Sequence, residues 1–387
     1  MISFIVSLHL MLTLLVFIFI LSFLVMIHEF GHFIAAKKSG VRVEEFGLGI
    51  PPKLFGFKRG ETEYTLNLLP FGGFVRLAGE DEDTTKSASP DQRSFAIKKP
   101  IVRAIILVAG IFMNFLASFT LYYILLSANS FKSATIPLFF DYSFKFGDVR
   151  RINTVITGFE KDSPADKGGF KPGESIVEIE GKPVYSVTEV REVIQSRENL
   201  NTNLVLVDVR GSKKETRSVN VTPVKNAEGK VVLGVLLGSA ANIYYDQGAN
   251  RLFAGPMHAY NMTTYTFFMF SKLISASFEA KDLAPVSSGV SGPVGVFNVV
   301  GEIVESTGAD ALFNLLDLTA LLSLSLGVMN LLPIPALDGG RLLFVLIEMT
   351  TGKKIHPAKE ALIHRVGMAL LLALMILVTF KDLRNLF

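Results

Sequence analysis

The most constraining feature of this sequence is the stretch His28-Glu29-Phe30-Gly31-His32, which has the form H-E-x-x-H. Residues four apart on an α-helix lie about 40° apart around the axis and about 6 Å along it. Two imidazoles at this spacing can hold one zinc ion, with the intervening glutamate placed to accept a proton from water. The alternative is a helix end that carries two solvated histidines. Residues 10–27 carry no charge, so the motif is predicted on a membrane-embedded helix, where ionisable groups indicate function.

The composition is that of a polytopic membrane protein. Half of the 387 residues are hydrophobic and 19% are charged, against about a quarter charged in soluble domains. Four apolar runs are long enough to span a bilayer. The first has no basic n-region and no A-x-A site, which indicates a retained span rather than a signal peptide. A net charge of +3 does not favour nucleic-acid binding, and the absence of cysteine excludes disulfides and thiolate chemistry.

Basic residues beside the apolar runs predict the topology. Lys37, Lys38 and Arg42 follow the first run, and Lys98 and Arg103 flank the second, which indicates that both ends face the cytoplasm. The predicted fold class is a polytopic α-helical membrane protein with four transmembrane helices, a membrane-associated β-hairpin and an inserted extracytoplasmic α+β domain. Its segments are 1–36, the first transmembrane helix; 37–100, a cytoplasmic-side loop with the hairpin; 101–128, the second transmembrane helix; 142–224, the inserted domain; 225–310, a linker with amphipathic helices; 311–340, the third transmembrane helix; 341–360, a cytoplasmic loop; and 361–387, the fourth transmembrane helix and C-terminus.

Within the 37–100 segment, alternating apolar residues predict the hairpin. Glu61–Leu69 is predicted as a strand, Pro70–Gly73 as a turn and Phe74–Leu77 as a returning strand. The strand has an unusually apolar face for a surface element, formed by Tyr64, Leu66 and Leu68. We therefore expect the tip to dip into the membrane, where an open strand edge would hold an extended peptide.

The sequence does not decide whether residues 262–278 enter the membrane. Thr263–Ser271 is apolar, but Lys272 and Glu279 interrupt the run before it reaches the length of a span. The preferred interpretation is a helix along the membrane interface or against the core.

The inserted domain at 142–224 has ordinary soluble composition and alternates short strands with two helices. It resembles a circularly permuted PDZ domain of the bacterial protease type, and Ser163-Pro164-Ala165 and Gly173–Gly181 carry most of the likeness. Such a domain implies either a peptide ligand or, as the alternative, a spacer that binds nothing.

A catalytic zinc ion usually takes three protein ligands, so a third ligand is needed. Asp338, in Leu337-Asp338-Gly339-Gly340, follows the third span at about the depth that His28 has on the first. The alternatives are a plain turn residue at Asp338 or a ligand at His364, whereas Asp317 is expected near the opposite face. Asn114, inside the second span, is expected to form a helix-packing hydrogen bond, with a substrate contact as the alternative.

Taken together, the H-E-x-x-H span, the PDZ-like domain and Asn330-x-x-Pro333-x-Pro335-x-Leu337-Asp338-Gly339 resemble the site-2 protease family of zinc intramembrane metalloproteases, in particular the bacterial regulator-of-sigma-E type. The resemblance implies that Zn²⁺ is bound by His28, His32 and Asp338. It implies that Glu29 is the general base and acid. The substrate-binding residues that it implies are Asn330, Gly72, Gly73, Phe74 and Val75. The single PDZ-like domain departs from relatives that have two.

The implied function is hydrolysis of peptide bonds within the transmembrane segments of single-span proteins in a bacterial cytoplasmic (inner) membrane. It would follow a first extracytoplasmic cleavage, in regulated intramembrane proteolysis such as release of an anti-sigma factor or clearance of signal peptides. One alternative is a non-catalytic PDZ scaffold anchored in the membrane. The other is an anchored zinc protease with soluble substrates, which the depth of the motif opposes.

Overall fold

Four helices among the described residues of this protein are long and apolar enough to cross a membrane. The computed structural model describes residues 2–80, 92–209, 215–226, 228–305 and 309–384. The predicted segments also include residues outside these ranges, namely 1, 81–91, 210–214, 227, 306–308 and 385–387. Within the described part, the candidate spans are Leu8–Lys38, Pro100–Ala128, Asp310–Leu331 and Ala358–Arg384. The prediction of four apolar spans is confirmed.

Long helices alternate with sheet segments along the chain. The helices are α1 (Ile2–Lys38), α2 (Pro100–Ala128), α3 (Pro164–Lys167), α4 (Val187–Gln195), α5 (Ala254–Ala280), α6 (Ala284–Ser288), α7 (Pro293–Glu305), α8 (Ala309–Leu331), α9 (Asp338–Thr351) and α10 (Pro357–Arg384). The strands are β1 (Val43–Arg59), β2 (Thr62–Leu77), β3 (Ile136–Leu138), β4 (Asp148–Phe159), β5 (Glu174–Ile179), β6 (Lys182–Pro183), β7 (Thr202–Asp208), β8 (Thr216–Val221), β9 (Val224–Lys225), β10 (Val231–Val232) and β11 (Val235–Tyr244). The chain divides into two units, one of Met1–Tyr122 with Phe270–Phe387 and one of Tyr123–Met269.

Strands β1 and β2 form a sheet directly after α1, and Leu48 of β1 pairs with both Leu66 and Gly73 of β2. The prediction missed β1, because its glycines and prolines look like breakers of regular structure. They are needed for close packing: a Cβ on Gly47 would lie 2.5 Å from the Phe74 ring. The predicted turn at Pro70–Gly73 lies inside β2, between Leu66 and Gly73, the two residues that pair with Leu48. Strands β1 and β2 are themselves joined at Gly60 and Glu61.

An ion-pair cluster ties the end of α1 to this sheet. Glu61 accepts hydrogen bonds from Arg93 Nη2 at 2.7 Å and from Lys37 Nζ at 2.8 Å. These two cations lower the pKa of Glu61 to about 2. The cluster joins the last turn of α1, the β1–β2 turn and the segment before α2.

The second unit is built on one sheet with the strand order β3-β11-β4-β5-β7-β8, and β6 lies beside β5. Its core includes Ile156, Ile176 and Leu204, which are fully buried. The prediction of a linker from residue 225 is wrong, because β11 pairs with β4 near the middle of this sheet. The segment Val235–Tyr244 has no regular apolar alternation, so its pattern does not predict a strand. A groove of about 320 Å³ lies between α4 and residues 231–237.

Within the segment 311–340, α8 ends at Leu331, and Asp338 begins a separate helix, α9, which the sequence did not predict. Pro333 and Pro335 stop α8, since proline has no N–H to continue the helix. Most of α9 lies in the segment 341–360 that was predicted as a loop. Gly339 allows the chain to turn tightly at this point, because a Cβ at that residue would lie 2.1 Å from the Leu332 carbonyl oxygen.

Candidate metal centre

The two histidines of the H-E-x-x-H motif lie one turn apart on α1, and both are buried. Their Nε2 atoms are 3.2 Å apart, and their rings are nearly perpendicular at 83°. The motif's spacing on an unbroken helix produces this geometry, since residues i and i+4 share a helix face. The two Nε2 atoms therefore point at one common position.

Asp338 completes this cluster from the first residue of α9. Its Oδ2 lies 2.9 Å from His28 Nε2 and 3.2 Å from His32 Nε2. Within the described residues, these three side chains are the group able to hold a metal ion, with ligand atoms that all lie within 4.8 Å of one another. The positions of the three sequence-predicted ligands are therefore adjacent in space.

The donor set and its protonation fit a zinc ion. Two imidazole nitrogens and one carboxylate oxygen are a common set of three ligands for catalytic zinc. His32 Nδ1 donates a hydrogen bond to the Ile106 carbonyl at 2.8 Å. Because Nδ1 carries the proton, Nε2 is left with the lone pair that a metal requires.

Glu29 lies on α1 between the histidines and faces the sheet. A Cβ built on Gly73 of β2 would stand 3.7 Å from Glu29 Cγ and 3.3 Å from Met26 Sδ. The Glu29 side chain is only partly buried. The carboxylate is therefore available to a water molecule beside the three ligand atoms.

The sequence-predicted substrate residues take different positions. Gly73 lies against Glu29, while Phe74 packs across Gly47 and the Val75 side chain packs with a core that includes Ala36 and Val41. Any contact from Val75 to a substrate must therefore come from its backbone. Asn330 lies in the last turn of α8, and its carbonyl oxygen would be 2.7 Å from a Cβ on Gly339.

His364, the alternative ligand, does not join the cluster. Its Nδ1 accepts a hydrogen bond from the Ala336 N–H at 2.8 Å. Ala336 has a φ of +77°, a conformation that residues other than glycine rarely adopt. His364 therefore holds the strained loop that leads into Asp338, and it is not placed as a metal ligand.

Asn114 of α2 makes a hydrogen bond to a neighbouring helix, and its partner is a candidate ligand. Its amide nitrogen lies 3.2 Å from His28 Nδ1, and both side chains are buried. This hydrogen bond joins α2 to α1, so the packing interpretation of Asn114 is confirmed; that its partner would be a candidate ligand was not predicted. The four-residue spacing of Gly110 and Asn114 on α2 was the signal available in the sequence.

Comparison with known proteins finds relatives that align with nearly the whole chain. The family model described as peptidase family M50 matches residues 16–374. A Clostridium perfringens protein, named a zinc metalloprotease by inference, is 32% identical over 363 residues, which cover 94% of this chain and 96% of the relative. The regulator of sigma-W protease RasP of Bacillus subtilis is 30% identical over 444 aligned residues, which cover 97% of this chain and 99% of the relative.

A solved structure of a PDZ domain, from the SdrC-like protein of Listeria innocua, is 23% identical and covers 22% of this chain and 92% of its own. The TM-score is 0.19, so the likeness is too weak to support a conclusion about fold or ligand.

Proposed function

This chain belongs to peptidase family M50, and on that premise we propose that it is a zinc-dependent intramembrane endopeptidase that cuts single-span membrane proteins. It is a zinc metalloprotease and a multi-pass membrane protein. The observation that supports the intramembrane site is the cluster of His28, His32 and Asp338. Two of these ligands lie on α1, the most apolar of the four candidate spans.

His28, His32 and Asp338 are the residues that would hold zinc, and a bound zinc ion supplies Lewis-acid chemistry that acidifies water and polarises a peptide carbonyl. Glu29 takes a proton from the attacking water and passes it to the nitrogen of the leaving amine. One water is consumed and one peptide bond breaks. Because Gly73 has no side chain, the backbone of β2 lies close to the Glu29 side chain.

A substrate helix must unwind before it is cut, because its carbonyls are engaged in i→i−4 hydrogen bonds. The segment Gly73–Leu77 pairs with β1 along one edge. Its other edge is proposed to pair with the unwound substrate, which would hold many different sequences through backbone hydrogen bonds alone. Asn330, beside Gly339, is proposed to hold the substrate backbone on the other side of the cut.

The test of this function is cleavage in lipid vesicles by the purified full-length protein. A single-span substrate should be cut at an intramembrane bond, cleavage should fall to background when 1,10-phenanthroline removes zinc, and added zinc should restore it. The competing interpretation, a membrane-anchored scaffold, predicts no cleavage in any of these samples. Cutting outside the membrane segment would instead support an anchored protease with soluble substrates.

The location is proposed to be a bacterial cytoplasmic membrane, with residues 37–100 in the cytoplasm and residues 142–224 outside. The support is the basic flank formed by Lys37 and Lys38 in the last turn of α1. Alkaline phosphatase fused at Ser196 should be active and a cytoplasmic reporter there silent, while fusion at Lys98 should give the reverse. A cytoplasmic signal from Ser196 would contradict this topology.

The second unit is proposed to act as a PDZ-type filter on substrates. Its groove between α4 and residues 231–237 is a candidate peptide site. In the vesicle assay, cleavage should rise when the extracytoplasmic part of the substrate is trimmed, consistent with a prior first cleavage. By likeness to the sigma-W regulator, the proposed cellular substrates are a membrane-bound anti-sigma factor or remnant signal peptides.

A further inference from the structure

One face of α2 lies along the outer sides of both candidate histidine ligands. Ile106, Gly110 and Asn114 are four residues apart, so they share that face. All three residues are buried. The Ile106 carbonyl accepts from His32 Nδ1 at 2.8 Å, and the Asn114 amide nitrogen lies 3.2 Å from His28 Nδ1. We call these three residues the orienting face.

Gly110 fits between these two polar contacts because it has no side chain. A Cβ at this position would lie 2.3 Å from His32 Nε2, which is the atom that would bind the metal. Real Cβ contacts are essentially never this short, so any larger residue would displace the imidazole. Gly110 therefore fixes how closely α2 approaches the His32 ring.

The proton on each histidine explains why the orienting face is polar at both ends. A histidine that binds a metal through Nε2 carries its proton on Nδ1, and a buried N–H without an acceptor is costly. The Ile106 carbonyl meets this need for His32. For His28 the nearby group is an amide, whose oxygen accepts and whose nitrogen donates.

Asn114 is suited to either tautomer of the His28 ring. The amide nitrogen can donate to an unprotonated Nδ1, and a 180° rotation of the amide turns its oxygen to accept from Nδ1–H. In the described residues Asn114 Oδ1 is buried without a hydrogen-bond partner, so no polar contact of that oxygen opposes the rotation. Rotation of this one side chain can therefore place the amide oxygen against Nδ1–H.

We propose that the orienting face sets the tautomer and position of both histidine ligands, with Asn114 as the positioning residue of His28. This inference rests on the proposed zinc site and adds residues that hold its ligands. Outer partners of this kind typically contribute about 10- to 100-fold to metal affinity. The effect is on metal binding itself, so it can be measured without any substrate.

The experiment compares metal affinity, by chelator competition, and the visible absorption of the Co²⁺-substituted protein. Asn114→Leu should weaken zinc affinity by roughly 10- to 100-fold and alter the Co²⁺ bands. Asn114→Asp should restore both, because a carboxylate accepts from Nδ1–H. Ser323→Ala is the matched control, since Ser323 Oγ donates to the Asn114 backbone carbonyl at 2.9 Å and touches the same turn of α2 without His28.

Gly110→Ala is a second, independent test of the orienting face. It should lower zinc affinity at least as much as Asn114→Leu, whereas Gly327→Ala should be tolerated because its Cβ would lie 3.4 Å from the Phe115 ring. If Asn114→Leu does not fold, Asn114→Ala replaces it with the same expected loss. Wild-type affinity and unchanged Co²⁺ bands in the folded Asn114 variant would overturn the inference. Failure of the wild type itself to bind zinc would instead contradict the proposed function.

Discussion

Glu29→Gln is expected to retain zinc and to lose most of the cleavage rate. General acid–base catalysis typically contributes about 10²- to 10⁴-fold, and the neutral amide of glutamine cannot take a proton from water. The three ligand atoms, His28 Nε2, His32 Nε2 and Asp338 Oδ2, are unaffected by the change. Single-turnover cleavage and zinc content should be measured on the same vesicle sample.

Asp338→Asn separates binding from proton transfer. Loss of the carboxylate charge between two imidazoles should lower zinc content and activity together, whereas Glu29→Gln lowers activity alone. Glu302→Gln makes the same chemical change on an exposed helix surface and should leave both unchanged. Wild-type cleavage by a zinc-loaded Glu29→Gln protein would remove the general-base role and, with it, the proposed mechanism.

The parts of this protein that follow from local pattern were predictable from the sequence. Apolar runs identify spans because a bilayer imposes a minimum length. The placing of His28 and His32 on one face follows from helix geometry. The short helices α3 and α4 are marked by Ser163 and Ser186, whose side chains accept hydrogen bonds from N–H groups in the first helical turn.

The parts that depend on contacts between distant residues were not predictable. Strand β1 contains Gly47 because the Phe74 ring packs there. No local sequence pattern predicts that contact. Asp338 was expected at the end of the third span, but the loop that contains Pro333 and Pro335 carries it to the start of another helix. Asn114 was expected to form a packing hydrogen bond, but its partner, His28, lies 86 positions earlier in the chain and no local pattern identifies it.

Proline substitutions at alternate positions along β2 are expected to reduce the cleavage rate strongly. A proline fixes φ and removes one backbone N–H, and in an antiparallel ladder successive residues direct their N–H groups to opposite edges. If the Val75 N–H faces the substrate, Val75→Pro should abolish cleavage while zinc content and folding persist. Phe74→Pro and Arg76→Pro should then weaken the pairing with β1 and lower stability instead.

Alanine at the same positions is the matched control for the proline series, because it trims the side chain and keeps the N–H. Phe74→Ala tests the ring that packs on Gly47, and Val75→Ala tests the side chain that packs near Ala36. Substrates with glycine or proline near the cut unwind easily, so they should lose less activity with Val75→Pro. Normal cleavage by all three folded, zinc-loaded proline variants would show that β2 does not hold the substrate. The proximity of Gly73 to Glu29 would then reflect packing alone.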